Sequence, residues 1–288
     1  MKPGHLRYDV HQHLWPVGVL RELARRNTPP RLRDDVFQAP GRPPIPARPS
    51  DHDLDRRLAR LDDAGIDIAV VSLSPTDGFD AHLQELWHEG VAKMAAAANG
   101  RILPLACGRP RPGFRGVCVP ADAVVAGLGG LPAELEAAGQ VLFVHPGPAR
   151  PAPPDLPAWW SPALEYCIQM QRAFTAWLAR DAAFYPALPV VFAILGGGAP
   201  LLMERFDARG ADLDLGRHRN VAVDTASYGE GAIGQFIRMF GTDQLVHGSD
   251  APVLSPCAAI DCLRALGGNI ADAVSVTAPG RLFGSAPR

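Results

Sequence analysis

The sequence predicts an α/β protein built as a single (β/α)8 TIM barrel spanning residues 1–288. Three observations carry that expectation. Short runs rich in Val, Ile and Leu recur along the whole chain, and helical or loop segments separate most of them. Several runs are apolar at every position, as parallel strands covered on both faces require. A chain of 288 residues is an ordinary length for such a barrel as one unit.

Taken in order, the runs begin with "RYDVHQHL" from Arg7, "DIAVVSLS" from Asp67, "ILPLACG" from Ile102 and "GVCVP" from Gly116. "VLFVH" from Val141, "VVFAIL" from Val190, "VAVDTA" from Val221 and "LVHGSD" from Leu245 complete the set of strands. Helical periodicity fills "LDRRLARLDDAG" from Leu54, with Gly65 as its stop, and "HLQELWHEGVAKMAAAANG" from His82, with Asn99 and Gly100 as its stop. The third and fourth strands are too close in sequence for a full helix between them. No GxGxxG follows the first strand, so the competing open doubly wound sheet lacks its nucleotide signature.

Two segments break the alternation: Arg26–Ser50 in the unit of the first strand and Pro146–Pro162 after the fifth. Their proline density argues against regular helix or central strand, so both are expected to be loops. Loops after barrel strands lie on the C-terminal face, where active sites are built, and these two are placed to act as lids or as passive excursions. Trp159 and Trp160 in the second loop have the flat apolar surface that suits a pocket wall or a cap on the barrel.

With 47% apolar and 20% charged residues, the chain has globular composition. A net charge of −2 provides neither the basic field of a nucleic-acid binder nor a cationic face for a membrane, which leaves a small molecule as the expected partner. The first residues show no basic-then-apolar leader, and no apolar run reaches the roughly 18 residues of a span, so a cytoplasmic location is expected. Cys107, Cys118, Cys167, Cys257 and Cys262 form no CxxC pair and read as reduced core or helix cysteines. A homodimer is the default expectation for oligomeric state.

The chemistry concentrates at strand ends. Side chains two apart on a strand share a face, so His11 and His13 project together. His145 ends the fifth strand and Asp250 the eighth, and in a barrel these tips converge. Three imidazoles and one carboxylate suit one divalent metal with an open position, zinc first and manganese second. Asp224, at the end of the seventh strand, is placed to touch the pocket or to orient a histidine. Arg109 follows the third strand and has the planar fork for a substrate carboxylate. Odd spacing from Asp250 turns His247 to the opposite face. His5, His52, His82, His88 and His218 lie off the strand tips and read as surface or helix residues.

With these motifs in hand, the sequence resembles the amidohydrolase superfamily, in the amidohydrolase-related branch that holds enzymes similar to aminocarboxymuconate semialdehyde decarboxylase. The matching stretches are "DVHQHLWP" from Asp9, "VLFVHPG" from Val141, "AILGGGAP" from Ala193, "NVAVDTASYG" from Asn220, "LVHGSDAP" from Leu245 and "GRLFG" from Gly280. The resemblance implies a metal-dependent barrel enzyme with His11, His13, His145 and Asp250 as ligands. It also implies a histidine before the glycines of the sixth strand, where a proton-transfer group stands beside the metal-bound water. This chain has Leu195 there, expected as the last residue of that strand. Leucine neither accepts a proton nor hydrogen-bonds, which removes a contribution of roughly 10²–10⁴ from any step that relies on that group.

The expected function is therefore hydrolysis of a small amide, ester or lactone, with Asp250 as both ligand and base. Non-oxidative decarboxylation of a small unsaturated or aromatic acid stands second. A metal-binding barrel that has lost catalysis, with Leu195 as the sign of the loss, stands third.

Overall fold

The computed structural model describes residues 6–40, 42–157 and 159–284. His5 lies outside the described residues. Eight parallel strands stand in sequence order in one nearly closed barrel surrounded by helices. They are β1 (Tyr8–His13), β2 (Ile68–Ser72), β3 (Ile102–Cys107), β4 (Gly116–Pro120), β5 (Val141–His145), β6 (Val190–Phe192), β7 (Val221–Asp224) and β8 (Leu245–Val246). Beyond β8 the chain closes the ring against β1: Val10 N donates to His247 O at 2.8 Å, Asp250 N to His11 O at 2.8 Å, and His13 N to Ala251 O at 2.7 Å.

Local chemistry starts and stops the flanking helices. Asp53 caps Leu54–Ala64 by accepting from Arg56 N, and Gly65 ends it at φ 70°, a left-handed position that glycine adopts without a steric penalty. Asp80 caps Ala81–Ala97 through Leu83 N. The gap between β3 and β4 holds no helix, as the sequence spacing requires. In the core, Val141, Leu142, Phe143 and Val144 of β5 are all fully buried, which is what a strand covered on both faces demands.

Two expectations need correction. The first proline-rich segment is not all loop: Arg31–Arg33, Val36–Gln38 and Ile45–Pro46 form a three-stranded antiparallel sheet. The first two of these strands contain no proline, and the only proline in the third sits on an edge strand, where its missing N–H is tolerated. This small sheet packs onto the barrel through Phe37, fully buried, whose ring lies 4.8 Å from Trp15 and 6.0 Å from Phe79.

The second correction concerns Leu195. β6 ends at Phe192, and the chain then winds through a left-handed turn from Ile194 to Gly198, with φ between 47° and 78°. Leu195 thus lies in a tight turn rather than on the strand. For Ile194, a β-branched residue, positive φ is a sterically costly exception. The surroundings hold it there: Asp224 Oδ1 accepts from Ile194 N at 2.8 Å, and Gly197 N and Gly198 N close back on Ile194 O and Leu195 O.

Candidate metal centre

β1 carries a bulge. Tyr8 and Asp9 pair with Ile68 and Ala69, whereas Gln12 and His13 pair with Val71 and Ser72, so Val10 and His11 together oppose Val70. His11, in the bulge, and His13, beyond it, project together, as the sequence spacing predicts, with ring centroids 5.2 Å apart. His145 joins them from β5, at 5.0 Å from His11 and 5.2 Å from His13. One ligand atom from each of these three buried histidines lies within 4.8 Å of the others. Asp250, following β8 at φ 62°, brings Oδ1 to 3.2 Å from His13 Nε2 and 3.6 Å from His11 Nε2.

Each imidazole is oriented from behind. Nδ1 of His11 meets Asp224 Oδ2 at 2.8 Å, Nδ1 of His13 meets Ser72 O at 3.0 Å, and Nδ1 of His145 meets Pro146 O at 2.8 Å. An oxygen beside Nδ1 favours the tautomer that carries its proton there, which leaves Nε2 free as a lone-pair donor. His11 Nε2 is buried with no hydrogen-bond partner, a costly state that a cation at the centre of the trio relieves. The donor set, three imidazole nitrogens and a carboxylate oxygen, fits a divalent ion.

The charges around the trio are uneven, and an ion bound there displaces a proton from His11. Burial pushes the His11 imidazole down, but Asp224, Asp250 and Asp9 outweigh it and bring the pKa up to about 9. Burial, reinforced by His11 and His13, holds His145 well below the ordinary histidine range. Asp250 is opposed by burial, yet the three histidines hold its carboxyl below the usual aspartate value, and its side chain stays 19% exposed.

The other residues singled out from the sequence fall in different places. Asp224 is fully buried, and its carboxylate is taken up by His11, Ile194 N and Ala226 N. It stands behind His11, the orienting one of the two placements the sequence offered. Arg109 is exposed in the loop after β3, and no hydrogen bond ties it to the histidines. Trp159 is 63% exposed and lines a cavity of about 250 Å³ between the two proline-rich segments, while the half-buried Trp160 has its ring 6.2 Å from that of Trp159. His52 and His88 are the helix residues the sequence allowed, and both are buried: His52 stacks on Trp15 at 4.6 Å, and His88 Nε2 accepts from Cys107 N. His247 is fully buried, with neither ring nitrogen hydrogen-bonded.

Sequence reasoning missed Arg42, Asp77 and Tyr166. Arg42 and Tyr166 line the same cavity as Trp159. Arg42 donates to Thr76 Oγ1 at 2.6 Å and to Thr76 O at 3.1 Å, and stands 3.6 Å from Asp77 Oδ1. Burial raises the Asp77 carboxyl to about 6 against the pull of His13, Arg42 and Trp15. Asp77 thus lies within electrostatic reach of both Arg42 and His13. Arginine is one among many in this sequence, and nothing in its spacing marks Arg42.

The sequence profile of the family described as amidohydrolase matches residues 8–276. The chain belongs to the amidohydrolase family. No curated protein sequence matches this amidohydrolase. Among solved structures it is similar to 5-carboxyvanillate decarboxylase from Sphingomonas paucimobilis, at 17% identity and a TM-score of 0.72, over 97% of this chain and 99% of that one. It is similar as well to 2,6-dihydroxybenzoate decarboxylase from Rhizobium, at 17% identity and a TM-score of 0.69, over 97% and 98% of the two chains. A third, 5-carboxyvanillate decarboxylase from Novosphingobium aromaticivorans complexed with manganese and 4-hydroxy-3-methoxy-5-nitrobenzoic acid, has 16% identity and a TM-score of 0.71, over 97% and 96%. At these identities the likeness shows the fold. No helix among the described residues is long and apolar enough to cross a membrane.

Proposed function

We propose that this amidohydrolase is a metal-dependent, non-oxidative decarboxylase of a small aromatic or unsaturated carboxylic acid. The observation that carries the reading is the convergence of His11, His13, His145 and Asp250, in a molecule whose largely apolar cavity between the proline-rich segments has a guanidinium, Arg42, in its lining. In this reading those four side chains hold one divalent ion. The bound ion supplies Lewis acidity toward an oxygen of the substrate. Zinc suits the nitrogen-rich donors, and manganese, present in one of the similar decarboxylases, is the second choice.

The chain's own residues account for the remaining needs of the reaction. Loss of carbon dioxide from a carboxylate breaks the bond to the carboxyl carbon and requires one proton at the carbon left behind. Asp250, 19% exposed and 3.2 Å from His13 Nε2, is the group that relays this proton, taking it from solvent and giving it to the carbon as carbon dioxide leaves. Arg42 binds a substrate oxyanion, steadied by Thr76 and Asp77. Pro43, Pro44, Ile45 and Pro162 shield the substrate from water, which decarboxylation does not consume.

Hydrolysis of a small amide, ester or lactone, first on the sequence because Leu195 removes a proton carrier, falls to second. The similar solved proteins named above are decarboxylases, and an apolar cavity favours a reaction that needs no water. The deciding experiment incubates metal-loaded protein with a panel of aromatic and unsaturated acids, and separately with amides, esters and lactones. Carbon dioxide released in equal amount to acid consumed, and abolished in Asp250→Asn, supports the proposal. Acid released from the second panel with no carbon dioxide from the first reverses the order. Metal binding with no turnover on either panel leaves the third reading, a barrel that binds without catalysing.

A further inference from the structure

A fully buried polar chain lies beneath the histidines and is used by none of the chemistry above. Asp9, Gln12 and Arg57 are each 1% exposed or less. Gln12 Nε2 donates to Asp9 Oδ2 at 2.7 Å, and Gln12 Oε1 accepts from Arg57 Nη1 at 2.7 Å. One primary amide therefore separates a buried carboxylate from a buried guanidinium. Arg57 donates also to His13 O at 3.1 Å and Asp51 O at 2.9 Å, and its Nε has no partner. Asp9 Oδ1 accepts from Ser249 N at 3.0 Å and more weakly from His11 N at 3.3 Å.

Two features make this more than core polarity. Burying a cation away from its carboxylate is costly, and here hydrogen bonds of fixed direction through one amide offset that cost. Its position is the second. On a regular strand residues 9, 11 and 13 share a face and residue 12 points the other way. Because Val10 and His11 together oppose Val70, that parity breaks between Asp9 and Gln12, and the Asp9–Gln12 hydrogen bond spans the bulge. The same chain grips the backbone of both histidine residues and, through Ser249 N, the segment just before Asp250.

We infer that Asp9, Gln12 and Arg57 are positioning residues that lock the β1 bulge and so set the mutual placement of His11, His13 and Asp250 for a metal ion. The inference rests on the metal-site reading above. It requires the direction of the amide bridge, carboxylate to N–H and C=O to guanidinium, rather than mere volume.

The test is a double-mutant cycle that reverses the bridge. Asp9→Asn sets an amide against Gln12, so Gln12 cannot satisfy both neighbours. Gln12→Glu keeps the contact with Arg57 but places two carboxylates together. When the two substitutions are combined, the new amide at position 9 donates to the new carboxylate at position 12, which still accepts from Arg57. The amide oxygen at position 9 still accepts from Ser249 N. The readouts are zinc affinity by competition with a chromophoric chelator and the visible absorption of the cobalt(II)-loaded protein, with thermal melting alongside.

Each single variant is expected to weaken zinc by about 10–100-fold, as other groups that orient metal ligands do, and to shift the cobalt bands. The double variant is expected to return to within about twofold of the parent. Unchanged zinc affinity in the singles, or a double variant as weak as they are, overturns the inference. Arg57→Lys, which keeps the charge and loses the fork between Gln12 and His13, is the second variant, and unchanged zinc and cobalt behaviour there overturns it too. If the parent itself binds no zinc, the metal-site reading fails and the inference with it, a result distinct from a parent that binds and variants that bind equally well.

Discussion

Asp224 shows how one side chain serves both a ligand and the backbone. Its Oδ2 meets His11 Nδ1 while its Oδ1 holds the amides of Ile194 and Ala226. Asp224→Asn keeps the shape but places a neutral amide beside His11, and zinc affinity measured by calorimetric titration is expected to fall about 10–100-fold. Asp77 gives a pH-dependent prediction. Its carboxyl titrates at about 6 in the native protein against an ordinary value of 3.8, chiefly through burial. Between those values the native state keeps a proton that the unfolded chain has lost, so stability falls as pH rises through this window and stays lower above it. Metal-free Asp77→Asn should therefore melt above the parent at neutral pH, with the gap closing below 3.8. A gap of the same size at both pH values would show that the carboxyl's ionisation is not its source. His11, His13, His145 and Asp250 were legible as candidates because each lies at or close to the C-terminal end of an apolar run, and residue type and position coincide. Arg42 and Asp77 were not, because a loop has no period that announces which way a side chain turns.

At the scale of elements, the turn after β6 is tightly constrained. A methyl group on Gly197 meets Cys167 O at 2.2 Å, and φ there is 65°. Gly197→Ala is expected to cost about 2–5 kcal/mol, the sum of a left-handed alanine and a backbone overlap, read as a lower midpoint in urea unfolding. Three glycines in a row were readable as a turn, but the expected strand residues Ile194 and Leu195 were not readable as part of it. Their apolar character fits a strand, whereas the hydrogen bond from Ile194 N to Asp224 and the closing bonds from Gly197 N and Gly198 N, which hold a β-branched residue at positive φ, depend on the folded chain. The small sheet in the first proline-rich segment escaped for the converse reason: prolines on either side of two three-residue strands mask them. Phe37 anchors that sheet. Phe37→Ala is expected to destabilise by about 3–5 kcal/mol by thermal melting. Because Arg42 follows in the same segment, it is also expected to raise KM more than it lowers kcat.

For the whole molecule, barrel and metal site are predicted to be thermodynamically linked. An ion that binds only the native state at a hundred times its dissociation constant adds about 2.7 kcal/mol, so a chelator should lower the melting temperature and zinc restore it. The variant carrying both His11→Ala and His13→Ala should contain no metal by elemental analysis and show no such shift. Equal metal content in parent and variant would place the ion elsewhere. The sequence by itself determined the barrel and the order of its strands and marked the histidines that converge at their ends, because apolar period, helix stops and strand-end chemistry are local properties. Only the tertiary structure decided that Asp224 backs His11 across 213 residues and that the Ser72 carbonyl backs His13 across 59. It also brought Arg42 beside Asp77 and bridged Asp9 to Arg57 through Gln12. Those relations are distances between residues far apart in the chain. They exist only once the ring of strands has closed and the low-dielectric interior makes each unpaired polar group costly.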